Sequence, residues 1–313
     1  MSVVGIVGDS ERVRAIAQLS VETGTRVLAW SPEGAREGLA GVTYTDVAAF
    51  ADVPLIFFDP EIASAREVAR ELGDHITGRH VIVHLLDGLE PGSAELFSDV
   101  LREETATHRI GFLTGPMRGK DVEEGLGAAA TSFSRFPEVH QMVENALVSD
   151  RFRLYRSSDL VGAQIAAACV HAIAFVYGVG VGMKQGASVG ATVFARGLAE
   201  TSRVVEAAGG EERTVFGMSG AGNLFARVGT MDSVDVALGL AAVEFGAFDR
   251  DKMSERFGQA AVRFETALGT LEQFCSKLAV DTNINSAAFA IVNQEKSTAE
   301  AALELMTLPV FDE

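Results

Sequence analysis

The feature that most constrains this chain is an alternation. Val3–Gly8, Arg26–Trp30, Leu55–Phe58, His80–Leu85, Ile110–Leu113, Ala128–Phe133 and Phe152–Tyr155 have the length and apolar, often β-branched, composition of buried strands. Between them, Glu11–Glu22, Ile62–Leu72, Ala94–Glu103 and Pro137–Leu147 carry helical periodicity. Strands separated by helices pair through crossovers, so the pattern predicts a parallel sheet covered on both faces, a Rossmann-like doubly wound α/β unit.

After Ser157 the texture changes. Asp159 is a plausible N-cap for a long apolar run, Leu160–Met183. Helical signal continues through Ala187–Ala208, Val234–Gly246, Met253–Cys275, Ala287–Asn293 and Ala299–Met306, with no strand-like alternation. The expected division is residues 1–157, α/β, and residues 158–313, all-helical. Leu160–Met183 is long enough to span a bilayer. It is interrupted by Gln164 and His171, is rich in Ala and Gly, and lacks flanking Trp. It reads as a helix buried on all sides, with no membrane partner.

Charge narrows the functions. Lys and Arg number 26 against 43 Asp and Glu, a net charge of −17. Such a surface repels phosphate backbones and anionic headgroups, which argues against nucleic acid and membrane as partners. Two cysteines far apart, Cys169 and Cys275, form neither a disulfide framework nor a metal cluster. No basic, apolar leader begins the chain, and a reducing cytoplasm is the expected location. His75, His80 and His84 only superficially suggest a metal. His80 and His84 share one strand face but stand about 14 Å apart along it.

A strand that ends in Gly8 and leads into a helix is where a dinucleotide fingerprint, G-x-G-x-x-G, belongs. The matching positions are Gly8, Ser10 and Val13. Gly8 keeps the tight turn. Ser10 puts a side chain where backbone should approach a pyrophosphate, and Val13 adds bulk where helix and strand pack. Asp9 and Glu11 bring negative charge to a helix start that otherwise attracts phosphate. Two readings stand open: Asp9 or Ser10 caps the helix without a ligand, or the turn binds NAD or NADP in altered form, lined by Gly8, Asp9, Ser10, Val13, Trp30, Ser31 and Pro60. Glu33, about 20 residues past the turn, stands where an acidic group meets a ribose.

Several segments together resemble the NAD(P)-dependent glycerol-3-phosphate dehydrogenases. Asp87-Gly88-Leu89-Glu90-Pro91-Gly92 is similar to the family's Lys-Gly-Leu-Glu segment, and Thr114-Gly115-Pro116 with Asp121-Val122 to its Ser-Gly-Pro…Glu-Val loop. Arg151–Tyr155 resembles the strand that closes the N-terminal domain. Arg196-Gly197-Leu198-Ala199-Glu200 and Gly220-Ala221-Gly222-Asn223-Leu224 resemble its Arg-Gly-Leu-Ala-Glu and Gly-Leu-Gly-Asp-Leu runs. The motifs occur in the family's order over nearly the whole chain. The resemblance implies hydride transfer between glycerol 3-phosphate and dihydroxyacetone phosphate, a dinucleotide-binding first domain, a helical substrate and dimerisation domain, and a homodimer.

Carried over residue by residue, the resemblance also marks losses. The lysine of the Lys-Gly-Leu-Glu segment falls on Asp87. The catalytic lysine of the family's Gly-Ala-Leu-Lys-Asn pattern falls on Val170, and the following Asn on His171. The Asp of Gly-Leu-Gly-Asp-Leu falls on Asn223. No Arg-Asn pair for a substrate phosphate lies between Leu224 and Arg256, and Gly190 stands where a helical lysine is expected.

Carbinol oxidation needs a base, donors for the developing oxyanion and cations for the phosphate. Val170 removes the base and its cation together. His171, about 100° round the helix, is either a replacement base or a histidine bonded to backbone. Asp87 is either a base or a loop aspartate capping N–H groups. Lys184 and Arg227 are either replacement cations or solvated charges. Three readings follow. The first is a diverged dehydrogenase scaffold, a pseudoenzyme toward a small phosphorylated substrate. The second is an active NAD(P)-dependent oxidoreductase with a relocated base. The third is a non-enzymatic scaffold that binds a ligand or partner.

Overall fold

The computed structural model describes residues 2–32, 34, 38–230 and 233–307. The chain divides into two compact units, Met1–Gln164 and Ile165–Glu313. The first unit contains β1 (Val3–Val7), α1 (Glu11–Glu22), β2 (Arg26–Trp30), β3 (Val42–Tyr44), β4 (Leu55–Phe58), α2 (Ala65–Gly73), β5 (Val81–His84), α3 (Phe97–Glu104), β6 (Ile110–Thr114), α4 (Gly119–Glu123), β7 (Ala128–Phe133), α5 (Pro137–Leu147) and β8 (Phe152–Ser157). The strands form one sheet in the order β3-β2-β1-β4-β5-β6-β7-β8. That is the doubly wound α/β architecture read from the alternation.

Two strands depart from the expected parallel direction: β7 runs antiparallel to β6, and β8, parallel to β7, shares its reversed direction. The short α4 explains it. It stays beside the start of α1, where Glu11 accepts a hydrogen bond from the Lys120 amide (2.9 Å). The chain does not cross back to the other end of the sheet and re-enters in reverse. β3, only three residues long and partly exposed at the sheet edge, carries no pattern long enough to read.

Neighbouring residues on each strand turn to opposite faces. Ile6, Phe57 and Val83 join Val13, Ile16 and Leu19 of α1 on one face. Val7, Phe58 and Ile82 join Trp30, Phe50, Leu72 and Phe97 on the other. The strands are buried on both faces, so they read as continuous apolar runs without polar alternation.

The histidines do not assemble. His80 precedes β5, and its ring nitrogens meet Thr77 and the Ala51 carbonyl (3.0 Å). His84 is fully buried and stacked on Phe112 at 4.7 Å between ring centroids. Among the described residues no group of three or more His, Cys, Asp or Glu is placed to hold a metal.

The second unit is helical. α6 (Leu160–Gly182) begins in the first unit, capped by Asp159, whose carboxylate accepts from the Gly162 amide (2.9 Å). There follow α7 (Ala187–Ala207), α8 (Glu212–Val215), a π-helical turn at Met218–Gly222, α9 (Asn223–Thr230), α10 (Val234–Phe245), α11 (Arg250–Phe257), α12 (Gln259–Leu278), α13 (Asn283–Val292) and α14 (Thr298–Thr307). The helix expected over Met253–Cys275 is two helices, broken where Gly258 takes φ +57°. α8, the π turn and α9 were hidden by glycines that obscure periodicity.

α6 is the one described helix long and apolar enough to cross a membrane, and 72% of its most apolar window is buried inside the protein. Its glycines have a packing reason. A methyl on Gly178 would meet the Val236 carbonyl oxygen at 2.3 Å, and one on Gly239 would meet that of Phe175 at 2.2 Å. α6 and α10 therefore touch backbone to backbone. Cys169 and Cys275 are buried free thiols.

Burial pushes His84 down to about 3. In the unfolded chain a histidine titrates near 6.5, so between those values the unfolded state binds the extra proton. Stability then falls with falling pH by about 1.4 kcal/mol per unit. We expect His84→Phe to remove this slope. Urea unfolding at pH 7 and pH 5 should show the variant gaining on the wild type by roughly 2 kcal/mol over that interval. An unchanged difference between the two proteins would refute a neutral, buried imidazole.

Candidate functional site

Two polar constellations stand out, one in each unit. The first lies at the carboxyl ends of the parallel strands, the crevice where doubly wound sheets bind ligands. Gly8 makes the turn from β1 to α1 with φ +103°. An added Cβ would strike the Asp59 carbonyl oxygen at 2.2 Å and come within 2.9 Å of the Pro60 nitrogen. Glycine is required there by both conformation and space. The Gly8 amide donates to the Trp30 carbonyl (2.9 Å), which ties the turn to β2.

The helix start is capped from within. The Val13 amide donates to Ser10 Oγ (3.1 Å), and the Ser10 hydroxyl donates to Asp59. Asp9 pairs with Arg14 (2.9 Å). Arg12, in the first turn of α1, bridges two carboxylates that follow different strands: Asp59 after β4 (3.3 Å) and Asp87 after β5. The Thr114 hydroxyl, at the end of β6, donates to the other Asp87 oxygen (3.3 Å). Burial pushes the Asp59 carboxyl up, against the opposing pull of the Arg12 charge and the Ser10 hydroxyl.

The expected cofactor residues divide accordingly. Gly8, Asp9, Ser10 and Pro60 meet at the turn, and Ser31 follows β2 half-buried. Val13 and Trp30 belong to the core on opposite faces of the sheet, so neither lines a crevice. Val13 marks where α1 stands on a side chain in place of a glycine contact. Glu33 lies outside the described residues. The turn without a Cβ and the helix start behind it fit a dinucleotide. Gly8, Ser10 and Pro60 would border its pyrophosphate, and Asp9, Glu11 and Asp59 make that border acidic. Asp87 forms an ion pair with Arg12, a cation that no local sequence pattern pointed to.

The second constellation is in the helical unit. Val170 of α6 is 1% exposed, an isopropyl group sealed in the interior. His171, beside it, does not bond to backbone. Its Nδ1 meets Asp235 Oδ2 at 3.0 Å, and the same oxygen accepts from Arg227 Nη1 at 2.7 Å. Arg227 Nε donates to Asn223 Oδ1 (3.2 Å). Asp235 is buried; burial works to raise it, but the His171 and Arg227 charges outweigh that and hold it below the ordinary carboxylate range. Arg227 is thus a placed, largely buried cation and not a solvated one, whereas Lys184 is exposed. Asp235, 64 residues from His171, left no signal in the sequence. Asp87 belongs to the other unit.

Two family-like motifs prove architectural. The Glu200 carboxylate receives the Asn283, Ile284 and Asn285 amides (2.6, 2.9 and 3.0 Å), capping α13. Arg66 gathers Glu90, Glu95, Glu103 and Glu104, so Glu90 of the Asp87–Gly92 segment anchors its loop.

The comparisons agree with this architecture. Residues 42–139 match the model of the NAD-dependent glycerol-3-phosphate dehydrogenase N-terminus, and residues 159–303 that of the C-terminus. The chain belongs to the NAD-dependent glycerol-3-phosphate dehydrogenase family. The N-terminal match begins past the Gly8 turn, where the fingerprint departs. A glycerol-3-phosphate dehydrogenase [NAD(P)+] of Rhizobium johnstonii is 31% identical over 83% of this chain and 77% of its own. That of Azorhizobium caulinodans is 30% identical over 98% and 97%. The fold is that of the Coxiella burnetii glycerol-3-phosphate dehydrogenase, with TM-score 0.89, 21% identity, and coverage of 98% of this chain and 99% of that one. Family and fold together support NAD or NADP as the cofactor.

Removing Arg12 should leave Asp59 and Asp87 facing each other uncompensated. Arg12→Met is expected to lower stability by about 2 kcal/mol, and adding Asp87→Asn to recover part of that loss. Chemical denaturation of the two variants checks this; an Arg12→Met protein as stable as the parent would show that the bridge contributes nothing.

Proposed function

We propose that this protein is an NAD(P)-binding oxidoreductase scaffold whose glycerol-3-phosphate dehydrogenase activity is lost, working in the cytoplasm as a homodimer. The observation that carries the reading is Val170. The resemblance puts the family's catalytic lysine there, and the side chain present is a buried isopropyl group with nothing to ionise. It can neither take the carbinol proton nor stabilise an alkoxide. Loss of one positioned acid–base group costs about 10²–10⁴ in rate. The charge-reversed Asp87, tied to Arg12, adds no cation for a phosphate.

One observation favours a second element. His171 is oriented by a buried carboxylate, the arrangement that fixes an imidazole's tautomer and prepares its far nitrogen for proton transfer. The scaffold therefore retains acid–base capacity next to the lost lysine, directed at another substrate.

Two measurements test this. Purified protein should show no reduction of dihydroxyacetone phosphate with NADH or NADPH, while millimolar dinucleotide raises the melting temperature. Ligand at ten times its Kd adds about 1.4 kcal/mol. Turnover at an ordinary family rate would remove the proposal. A melting curve indifferent to all four nicotinamide dinucleotides would remove its cofactor half.

A further inference from the structure

The helical unit holds an apolar cavity of about 350 Å³ between α6, α7, α13 and α14. Small-molecule sites span about 300–1,000 Å³. The cavity lies wholly inside the second unit, and Val170, His171, Arg227 and Asp235 are not among its lining residues.

Its walls are largely aliphatic. α6 contributes Val176, Val179 and Met183, and α13 contributes Ile284, Ala287 and Ile291. Leu303 and Met306 of α14 border it and stay 66% and 69% exposed. α14 buries Thr298 and Ala301 and leaves these larger apolar side chains uncommitted to the core.

The charged groups of the lining are gathered at one end. α6 and α7 run antiparallel: a Cβ on Gly180 would meet Val189 at 3.9 Å, and one on Gly197 would meet Ile173 at 2.7 Å. Along α7 the lining passes from Val189 and Val193, on the Met183 side, to Arg196, Glu200 and Arg203, which share a face at helical spacing. Thr192 between them gives its hydroxyl to the Ser188 carbonyl (2.9 Å). The start of α13 joins the charged end, because the Glu200 carboxylate accepts from the Asn283, Ile284 and Asn285 amides.

Neither guanidinium is in an ion pair among the described residues. Arg196 is half-buried and has no hydrogen bond among them, and Arg203, exposed, donates to the Ala199 carbonyl (3.4 Å). Elsewhere Arg66, Arg151, Arg227, Arg250 and Arg256 each reach a carboxylate. In a chain with 43 acidic residues against 26 basic, a half-buried arginine left without one is an exception. Even counting Glu200, this end keeps one net positive charge, and a guanidinium fork suits a carboxylate.

We infer that the cavity binds a fatty acid anion, with the hydrocarbon chain along the Val179, Met183 and Ile291 walls and the carboxylate on Arg196. Arg203 adds charge at longer range. The two halves of such a molecule match the two ends of the cavity. An alkane would leave Arg196 unused, and a small anion would leave the aliphatic walls wet. The cavity takes a single chain, and the overall charge of −17 opposes an anionic bilayer. The inference is independent of the chemistry lost at Val170.

Calorimetric titration of the full-length protein with octanoate, decanoate and dodecanoate, each below its micelle concentration, tests this. Affinity should rise at least tenfold across the series, since each methylene taken from water is worth about fourfold. Dodecanol should bind about tenfold more weakly than dodecanoate, and Arg196→Gln should erase that difference by weakening only the acid. Arg196 has no partner to lose, so this variant is expected to fold as the parent does. Ala302→Phe, which fills the cavity, should abolish binding of acid and alcohol alike. Equal affinity for the alcohol and the acid would overturn the inference, as would the absence of saturable binding to the wild-type protein. So would binding to anionic phospholipid vesicles without binding of the free acids. Sedimentation of the same samples covers the remaining occupant: if no acid binds and Ala302→Phe halves the mass, the groove belongs to a second copy of this chain.

Discussion

The approach of Gly8 to the Asp59–Pro60 backbone is the constraint from which the α/β unit is built. No side chain fits between them, so the end of β1 lies directly against the end of β4. That contact sets where α1 begins. Ser10 then caps the helix and reaches Asp59, and Arg12 in the next positions ties Asp59 to Asp87. Four consecutive strand ends in the sheet, β1, β4, β5 and β6, are thus linked through one guanidinium and one threonine hydroxyl. A buried ion pair rarely adds much net stability but strongly penalises the loss of either partner. Here its consequence is geometric: it specifies how helix and strands meet at the crevice.

The same constraint shapes chemistry. A dinucleotide needs a turn without a Cβ and helix amides that face a pyrophosphate. The turn is present. The protein's own serine occupies part of the helix start, and three carboxylates surround it. Affinity there is a contest between an architecture made for phosphate and a lining that repels it. In the helical unit the balance differs. His171, Asp235 and Arg227 form one hydrogen-bonded group beside Val170, with Asn223 at its edge.

Much of the fold was legible because burial on both faces writes long apolar runs into strands. β2, β4, β7, α1 and α5 were read to the residue for that reason, helped by Pro137 at the first position of α5. The antiparallel β7 was not legible, because its direction depends on where α4 packs, a contact between residues 11 and 120. The break at Gly258 and the π turn at Met218–Gly222 were likewise hidden, since glycines tolerate helix interiors and helix ends alike.

The amino-acid sequence by itself determined the doubly wound first unit, the helical second unit, the need for glycine at position 8 and the absence of ionisable chemistry at position 170. These follow from residue type and local spacing, which the backbone obeys wherever it sits. Only the tertiary structure decided that Asp87 is balanced by Arg12, that Glu200 caps a helix more than eighty residues away, and that His171 answers to Asp235. Each of those is a partnership between groups distant in the chain. Hydrogen bonds and ion pairs act over a few ångströms of space, and no local pattern records which carboxylate folding will bring within that reach.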